Sequence, residues 1–134
     1  MGLIDKIFKS QRDIAKDEIK GIQWDELDSI DQLDNIIKNS KIRPKVIFKH
    51  STRCGISRMA LSQFEKGYEN DGVDAGYYLL DLLENRDVSN AVAEKLKVAH
   101  QSPQVIVLDD EKVIHNDSHH GIDIKKIQAL IKKQ

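Results

Sequence analysis

Residues 46–57 read VIFKHSTRCGIS, and this stretch decides how the chain folds. It opens with Val46, Ile47 and Phe48 shortly after a proline, a short apolar run typical of a buried strand. Helical spacing starts directly after Cys54 and places apolar or small residues on one face, namely Ile56, Met59, Ala60, Phe64 and Gly67. The stretch therefore predicts a strand that passes into a helix at the cysteine.

The rest of the chain continues this alternation of strand and helix. A helix near 27–38 precedes the stretch, with the acidic residues of 25–31 at its entrance, where the helix dipole favours them. Beyond the stretch, apolar spacing predicts a strand at 77–83, a helix at 88–96 capped by Asp87, two short strands at 105–108 and 112–115, and a last helix after Gly121. The order α-β-α-β-α-β-β-α predicts an α/β fold in which a mixed central sheet carries helices on both faces.

Composition limits the chain to one ordered domain with no general attraction for charged polymers. Among 134 residues, 21 Lys and Arg face 22 Asp and Glu, which leaves a net charge of -1, and 40% of the residues are hydrophobic. We assign 24–134 to a single domain and 1–23 to an N-terminal arm or helix packed on it. A nearly neutral chain lacks the field that attracts nucleic acid, and no apolar run is long enough for a membrane span or a secretory signal. We therefore expect a cytoplasmic protein without nucleic-acid or membrane partners.

Cys54 is the one cysteine of the sequence, and its position favours reactivity over burial. Unpaired N–H groups at a helix N-terminus favour an anion, and Arg53 adds a positive charge, so we expect the thiolate to be stabilised. The alternative is a cysteine packed as a small hydrophobic residue, but 49–53 are all polar or charged and Gly55 leaves the approach to the sulfur open. Ser57 completes a C-x-x-S motif, in which the hydroxyl can hydrogen-bond the thiolate but cannot close a disulfide. The resolving thiol must then come from another molecule.

A second feature is the segment Gln101-Ser102-Pro103-Gln104, in which a proline opens the strand predicted at 105–108. Proline often simply begins a strand, and this is the plainer interpretation of Pro103 when it is taken alone. In a thioredoxin-like sheet, by contrast, a proline at this place is cis and faces the cysteine. Both interpretations are open on these residues alone.

Several blocks of the sequence carry a resemblance to a known family. They are 48–57 (FKHSTRCGIS), 88–90 (VSN), 93–95 (AEK), 100–106 (HQSPQVI) and Ser118-His119. From about residue 24 to its C-terminus the chain resembles the monothiol bacilliredoxins, the YtxJ-like proteins of the thioredoxin superfamily. The resemblance implies a thioredoxin fold, Cys54 as nucleophile, a cis peptide bond at Ser102-Pro103, and exchange of bacillithiol on and off protein thiols. Family members often carry proline directly after the cysteine, where this chain has Gly55.

The residues and the resemblance together lead us to expect a glutaredoxin-like monothiol thiol-disulfide oxidoreductase. It would remove or transfer bacillithiol, or a similar low-molecular-weight thiol, from S-thiolated client proteins, with that thiol as co-substrate and with no bound cofactor or metal. Cys54 is the predicted catalytic residue. Arg53 and a turn at 118–122 are candidates for holding the acidic end of the thiol. The residues predicted to bind or activate the thiol are Thr52, Arg53, Gly55, Ser57, Gln101, Ser102, Pro103 and His119.

Three other functions fit parts of the sequence. The segment 54–57 resembles the C-G-F-S motif of monothiol glutaredoxins, which hold an iron–sulfur cluster between two protomers, although the flanking segments differ from theirs. A redox-inactive adaptor of thioredoxin fold is a second alternative. A cysteine hydrolase with His50 or His100 as base is a third, but the sequence supplies no orienting group for it. One histidine cluster could suggest zinc, but we interpret it as part of a solvated turn: His115, His119 and His120.

Overall fold

The computed structural model describes residues 21–132, in which strands and helices alternate. The elements are, in chain order, β1 (Trp24–Glu26), α1 (Ile30–Asn39), β2 (Lys45–His50), α2 (Gly55–Gly67), β3 (Gly76–Asp81), α3 (Arg86–Leu96), β4 (Gln104–Asp109), β5 (Lys112–Ser118), a 3-10 turn (His119–Gly121) and α4 (Ile124–Lys132). No helix within this range is long and apolar enough to cross a membrane. Most of the arm predicted at 1–23 lies outside the described residues, which begin at Gly21.

Over the described residues, the strands form one five-stranded sheet in the order β1-β3-β2-β4-β5. β1, β3 and β2 run parallel to one another, whereas β4 is antiparallel to β2 and β5 is antiparallel to β4. Parallel strands need a crossover, which α2 provides between β2 and β3, while a tight hairpin is enough to join β4 to β5. The predicted α/β fold with a mixed central sheet is confirmed.

β2 is the central strand, and every one of its residues is buried. Successive side chains of a strand point to opposite faces of the sheet, so β2 contributes to two separate cores. Phe48 joins the core on the face covered by α2 and α4, where its ring centroid lies 5.1 Å from that of Phe64. Ile47 joins the core on the other face, with Leu33 of α1 and Val92 of α3. Helices on both faces of the sheet are therefore confirmed as well.

The start of the domain differs from the sequence-based prediction. The helix predicted near 27–38 begins only after Ser29, whose Oγ accepts a hydrogen bond from the Gln32 N–H at 3.1 Å and so caps α1. Asp25 and Glu26, which we placed at the helix entrance, lie in β1 instead. A strand of three residues is too short to show alternation, and it forms because β3 offers a free parallel edge.

Three boundaries farther along the chain also differ from prediction. β3 ends at Asp81, because the chain turns there and the Leu83 N–H donates to Asp81 Oδ1 at 3.1 Å. Asn85, not Asp87, occupies the N-cap of α3, so Asp87 lies within the first turn. The strand predicted at 112–115 continues to Ser118, the first residue of the predicted turn at 118–122, because residues 116–118 extend the ladder of β5 with β4.

The tight turn between β4 and β5 is tied to the end of α1. Asp110 and Glu111 form this turn with positive φ angles of 51° and 64°. The Glu111 N–H donates to the Oγ of buried Ser40 at 2.7 Å, and the Asp110 N–H donates to the Ser40 carbonyl at 3.0 Å. Two successive left-handed residues match the type I′ turn, which favours Asn-Gly. Two residues with a Cβ atom therefore occupy a conformation in which glycine is more stable.

We predict that Glu111→Gly is more stable than Glu111→Ala by about 1 kcal/mol, because a Cβ atom disfavours the left-handed conformation. Both variants remove the exposed Lys41–Glu111 ion pair, whose N–O distance is 3.4 Å, so the comparison isolates the backbone effect. Urea unfolding of the two variants gives the difference. A glycine variant no more stable than the alanine variant would contradict this explanation.

Candidate active site around Cys54

Cys54 lies where the chain passes from the end of β2 into α2. Its backbone is extended, with φ -98° and ψ 120°, and it occupies the N-cap of the helix. The Cys54 N–H donates to the Ser51 carbonyl at 3.1 Å, and the Cys54 carbonyl accepts the first helical hydrogen bond from the Arg58 N–H at 3.0 Å. The half-buried side chain makes no capping hydrogen bond. The sulfur is thus left available at the positive end of the helix dipole.

Ser57 holds the loop before the cysteine in place. It is fully buried, and its Oγ accepts a hydrogen bond from the Ser51 N–H at 3.0 Å. An unpaired N–H in this loop would be costly if it were buried, so the serine both satisfies the donor and fixes the path from β2 to Cys54. The sequence predicted a hydroxyl near the thiolate, and the structure gives that hydroxyl a partner in the loop backbone.

The peptide bond Ser102-Pro103 is cis, as predicted. Pro103 is buried immediately before β4, whose antiparallel register pairs Gln104 with Lys49 near the end of β2. The Pro103 carbonyl accepts a hydrogen bond from the His119 N–H at 3.1 Å. The proline therefore lies at the same end of the sheet as the cysteine loop, and this hydrogen bond holds His119 against it.

The segment that leads into the cis-proline is shaped by one buried side chain. Gln104 donates from Nε2 to the Ala99 carbonyl at 3.0 Å, and its Oε1 accepts from the Gln101 N–H at 3.4 Å. These bonds close the residues between α3 and β4 into a compact loop. Gln101 itself is exposed and Ser102 is half-buried, so both border solvent at the mouth of the site.

A groove of about 260 Å³ connects the first turns of α2 to the cis-proline. Its wall on α2 includes Ile56 and Met59, which are 64% and 63% exposed although both are large and apolar. Its other wall includes Pro103, His119 and Ile122. Exposed apolar side chains that face a shaped groove are typical of a surface that receives another molecule. The groove starts two residues beyond the cysteine.

Comparisons with known proteins agree with this geometry. The family model described as monothiol bacilliredoxin BrxC matches residues 25–127. The chain belongs to the monothiol bacilliredoxin family. A solved structure provisionally described as an oxidoreductase with a thioredoxin fold is 33% identical, with a TM-score of 0.68 over 79% of this chain and 91% of that chain. Family and fold assign a thiol redox function to this bacilliredoxin, and Cys54 is the one cysteine in its sequence.

More distant structures show the fold alone. Thioredoxin from Malassezia sympodialis is 24% identical, with a TM-score of 0.63 over 84% of the bacilliredoxin chain and 90% of its own. Thioredoxin from Fasciola hepatica is 19% identical, with a TM-score of 0.60 over 81% of this chain and 96% of its own. The thioredoxin fold predicted from the resemblance is therefore confirmed.

The remaining predicted site residues of the bacilliredoxin lie around the cysteine loop. Arg53 and Gly55 are exposed on either side of Cys54. Thr52 points instead toward β3, where its Oγ1 donates to Asp81 Oδ2 at 3.3 Å. Between residues 21 and 132 no three His, Cys, Asp or Glu side chains come close enough together to hold a metal ion.

A buried lysine and a histidine near the site were not predicted. Lys49 is fully buried in β2, and its Nζ lies 2.8 Å from His100 Nδ1. Burial lowers the pKa of Lys49 to about 8, and burial with the charges of Lys49 and Arg86 lowers the pKa of His100. At neutral pH the ammonium therefore donates to a neutral imidazole, which ties β2 to the segment before the cis-proline. The one feature of the sequence that could have indicated this buried pair is a lysine that directly follows the apolar residues of a strand.

We predict that Gly55→Pro raises the free energy of unfolding by about 0.5–1 kcal/mol, because proline restricts the unfolded chain. Gly55 is the first residue of α2, a position that proline favours, and no atom lies within 4 Å of the place its Cβ would take. The extended backbone of Cys54 is the conformation that a following proline requires. Urea unfolding measures the change. Gly55→Ala is the matched control for the added Cβ. A loss of stability in the proline variant would contradict the prediction.

We predict that Lys49→Met removes part of the pH dependence of stability. The folded pKa of about 8 lies below the ordinary value of 10.5, so in this window the unfolded chain binds more protons and stability rises with pH. The wild-type protein should gain up to about 3 kcal/mol across the window relative to the variant. Urea unfolding below and above the window tests this, since the other titrating groups are common to both proteins. Equal pH dependence of the two proteins would count against it.

Proposed function

We propose that the protein is a monothiol thiol-disulfide exchange enzyme that removes bacillithiol, or a similar low-molecular-weight thiol, from S-thiolated client proteins. The observation that carries the proposal is the position of Cys54, at the N-cap of α2 and beside a groove that ends at the cis-proline. The match to the monothiol bacilliredoxin model supports bacillithiol as the thiol. The sequence has no second cysteine, which makes the chemistry monothiol.

The proposed step exchanges one disulfide for another and needs no external electrons. The Cys54 thiolate attacks the small-thiol sulfur of the client's mixed disulfide. A new disulfide forms between Cys54 and the small thiol, and the client sulfur leaves as a thiolate that takes a proton from solvent.

Regeneration of the enzyme requires a second molecule. With no resolving cysteine in the sequence, a free small thiol or a partner redoxin must attack the Cys54 mixed disulfide. That attack expels the Cys54 thiolate and leaves the small thiol in a disulfide with the incoming sulfur. We expect this cycle to run in the reducing cytoplasm, where such thiols are abundant.

Contacts to the small thiol come from both sides of the sulfur in this proposal. Arg53 is exposed beside Cys54 and supplies a positive charge for an acidic group. Ser102 lies directly before the cis-proline, and its backbone is suited to pairing with a peptide-like part of the ligand. Ile56 and Met59 offer apolar contact along the groove.

We predict that a client peptide carrying a bacillithiol mixed disulfide transfers the bacillithiol to Cys54, because no internal thiol removes it again. Intact-mass spectrometry without added thiol should show a mass gain of one bacillithiol on the protein together with release of the free peptide. Cys54→Ser should abolish both. Ser57→Ala should slow the transfer, because the loop before the cysteine loses its buried clamp.

The same experiment with a glutathionylated peptide tests which small thiol the site favours. We expect faster transfer of bacillithiol. Peptide release without any mass gain on the wild-type protein would show that Cys54 is not the acceptor and would overturn the proposal.

A further inference from the structure

A second cavity lies at the same end of the sheet as the groove beside Cys54, on the side of the cysteine loop that faces β3. It has a volume of about 300 Å³ and is lined by Trp24, Glu26, His50, Thr52, Leu79 and Asp81. These residues stand at or near the carboxyl ends of the parallel strands β1, β2 and β3, and in the loop that follows β2. In open α/β sheets ligands bind outside the carboxyl ends of parallel strands. Thr52 belongs to this cavity and Ile56 to the groove, and Cys54 lies between them in sequence.

His50 supplies the observation that points to a ligand. It is only 6% exposed, and its Nδ1 is buried without a hydrogen-bond partner among the described residues. A buried polar nitrogen without a partner destabilises the fold, because it has lost its hydrogen bond to water. Burial lowers the pKa of His50, against the opposing influence of Asp81 and Glu65, so the neutral imidazole is favoured. In the neutral tautomer that carries its proton on Nε2, Nδ1 is the acceptor nitrogen, and an N–H donor placed in the cavity would satisfy it.

The charges around the cavity select a cation. Glu26 and Asp81 line it, and among the residues the structure describes no Lys or Arg does. Glu65 adds a third carboxylate nearby, where its Oε2 accepts from Trp24 Nε1 at 3.2 Å. A metal ion is not suited, because no three potential ligands among residues 21–132 converge on one point. A larger organic cation is suited, since the indole of Trp24 can add a cation–π contact to the carboxylates.

We propose that this cavity binds a basic side chain, Arg or Lys, that flanks the S-thiolated cysteine of a client protein. The inference rests on the proposed function and adds a preference among clients. An Arg guanidinium can bond both carboxylates and still direct an N–H toward the histidine, because its five donors fan out in one plane. The acidic end that we assign to the small thiol would be repelled from this negative cavity and is placed at Arg53 instead.

The test compares two bacillithiolated peptides that differ only in having Arg or Gln beside the cysteine. The rate of mass gain at Cys54 of the full-length protein should be about threefold higher for the Arg peptide, and added salt should reduce the difference. Glu26→Gln should lower this Arg-to-Gln rate ratio toward one. Asp25→Asn is the matched control, because it removes the neighbouring exposed carboxylate of β1, which does not line the cavity.

A separate measurement follows His50 itself. On addition of the Arg peptide with its cysteine replaced by serine, the His50 ring nitrogens should shift in an NMR spectrum of the wild-type protein, and the Gln version should leave them unchanged. Equal transfer rates for the two bacillithiolated peptides would overturn the inference while leaving the proposed function intact. A rate loss in Glu26→Gln that is the same for both would place the cation on the small thiol and overturn the client assignment. Absence of mass gain with either peptide would overturn the proposed function, and the inference with it.

Discussion

The pairing of β2 on both of its edges is the constraint on which the rest of the molecule depends. β3 pairs with it in parallel and β4 in antiparallel orientation, so its backbone groups are bonded from both sides. The antiparallel pairing brings the start of β4 to the end of β2. Pro103, which precedes β4, therefore lies at the same end of the sheet as Cys54, which follows β2. One strand register thus brings the two groups that define the candidate site to the same end of the sheet.

The parts of this arrangement that sequence reasoning predicted are those with local signals. β2 was predicted from an apolar run behind Pro44, and α2 from apolar spacing that begins after the cysteine. The cis bond at Pro103 came from the family resemblance, since proline at a strand start is ambiguous by itself. β1 was missed because its three residues form a strand only through the edge that β3 provides.

The polar contacts of the site could not be predicted, because each joins residues that are close only in the folded chain. Lys49 and His100 are separated by 51 positions, and no local pattern relates them. The groups that line the second cavity come from three strands and one loop. The sequence therefore does not show that Glu26 and Asp81 face the same cavity until the sheet order is known. Even Ser57, predicted for its place in the C-x-x-S motif, serves the loop backbone through a bond that the motif does not specify.

The tie between Ser40 and the Asp110-Glu111 turn has a consequence for how the protein is made. It joins the end of α1 to a hairpin 71 positions later. Likewise, β2 can pair with β4 only after β4 has been synthesised, much later than β2 itself. On the ribosome the central strand emerges before both of its neighbours, so the sheet cannot close until the last hairpin has left the exit tunnel. Cys54 is therefore made well before Pro103, and the two halves of the candidate site come together only late in synthesis.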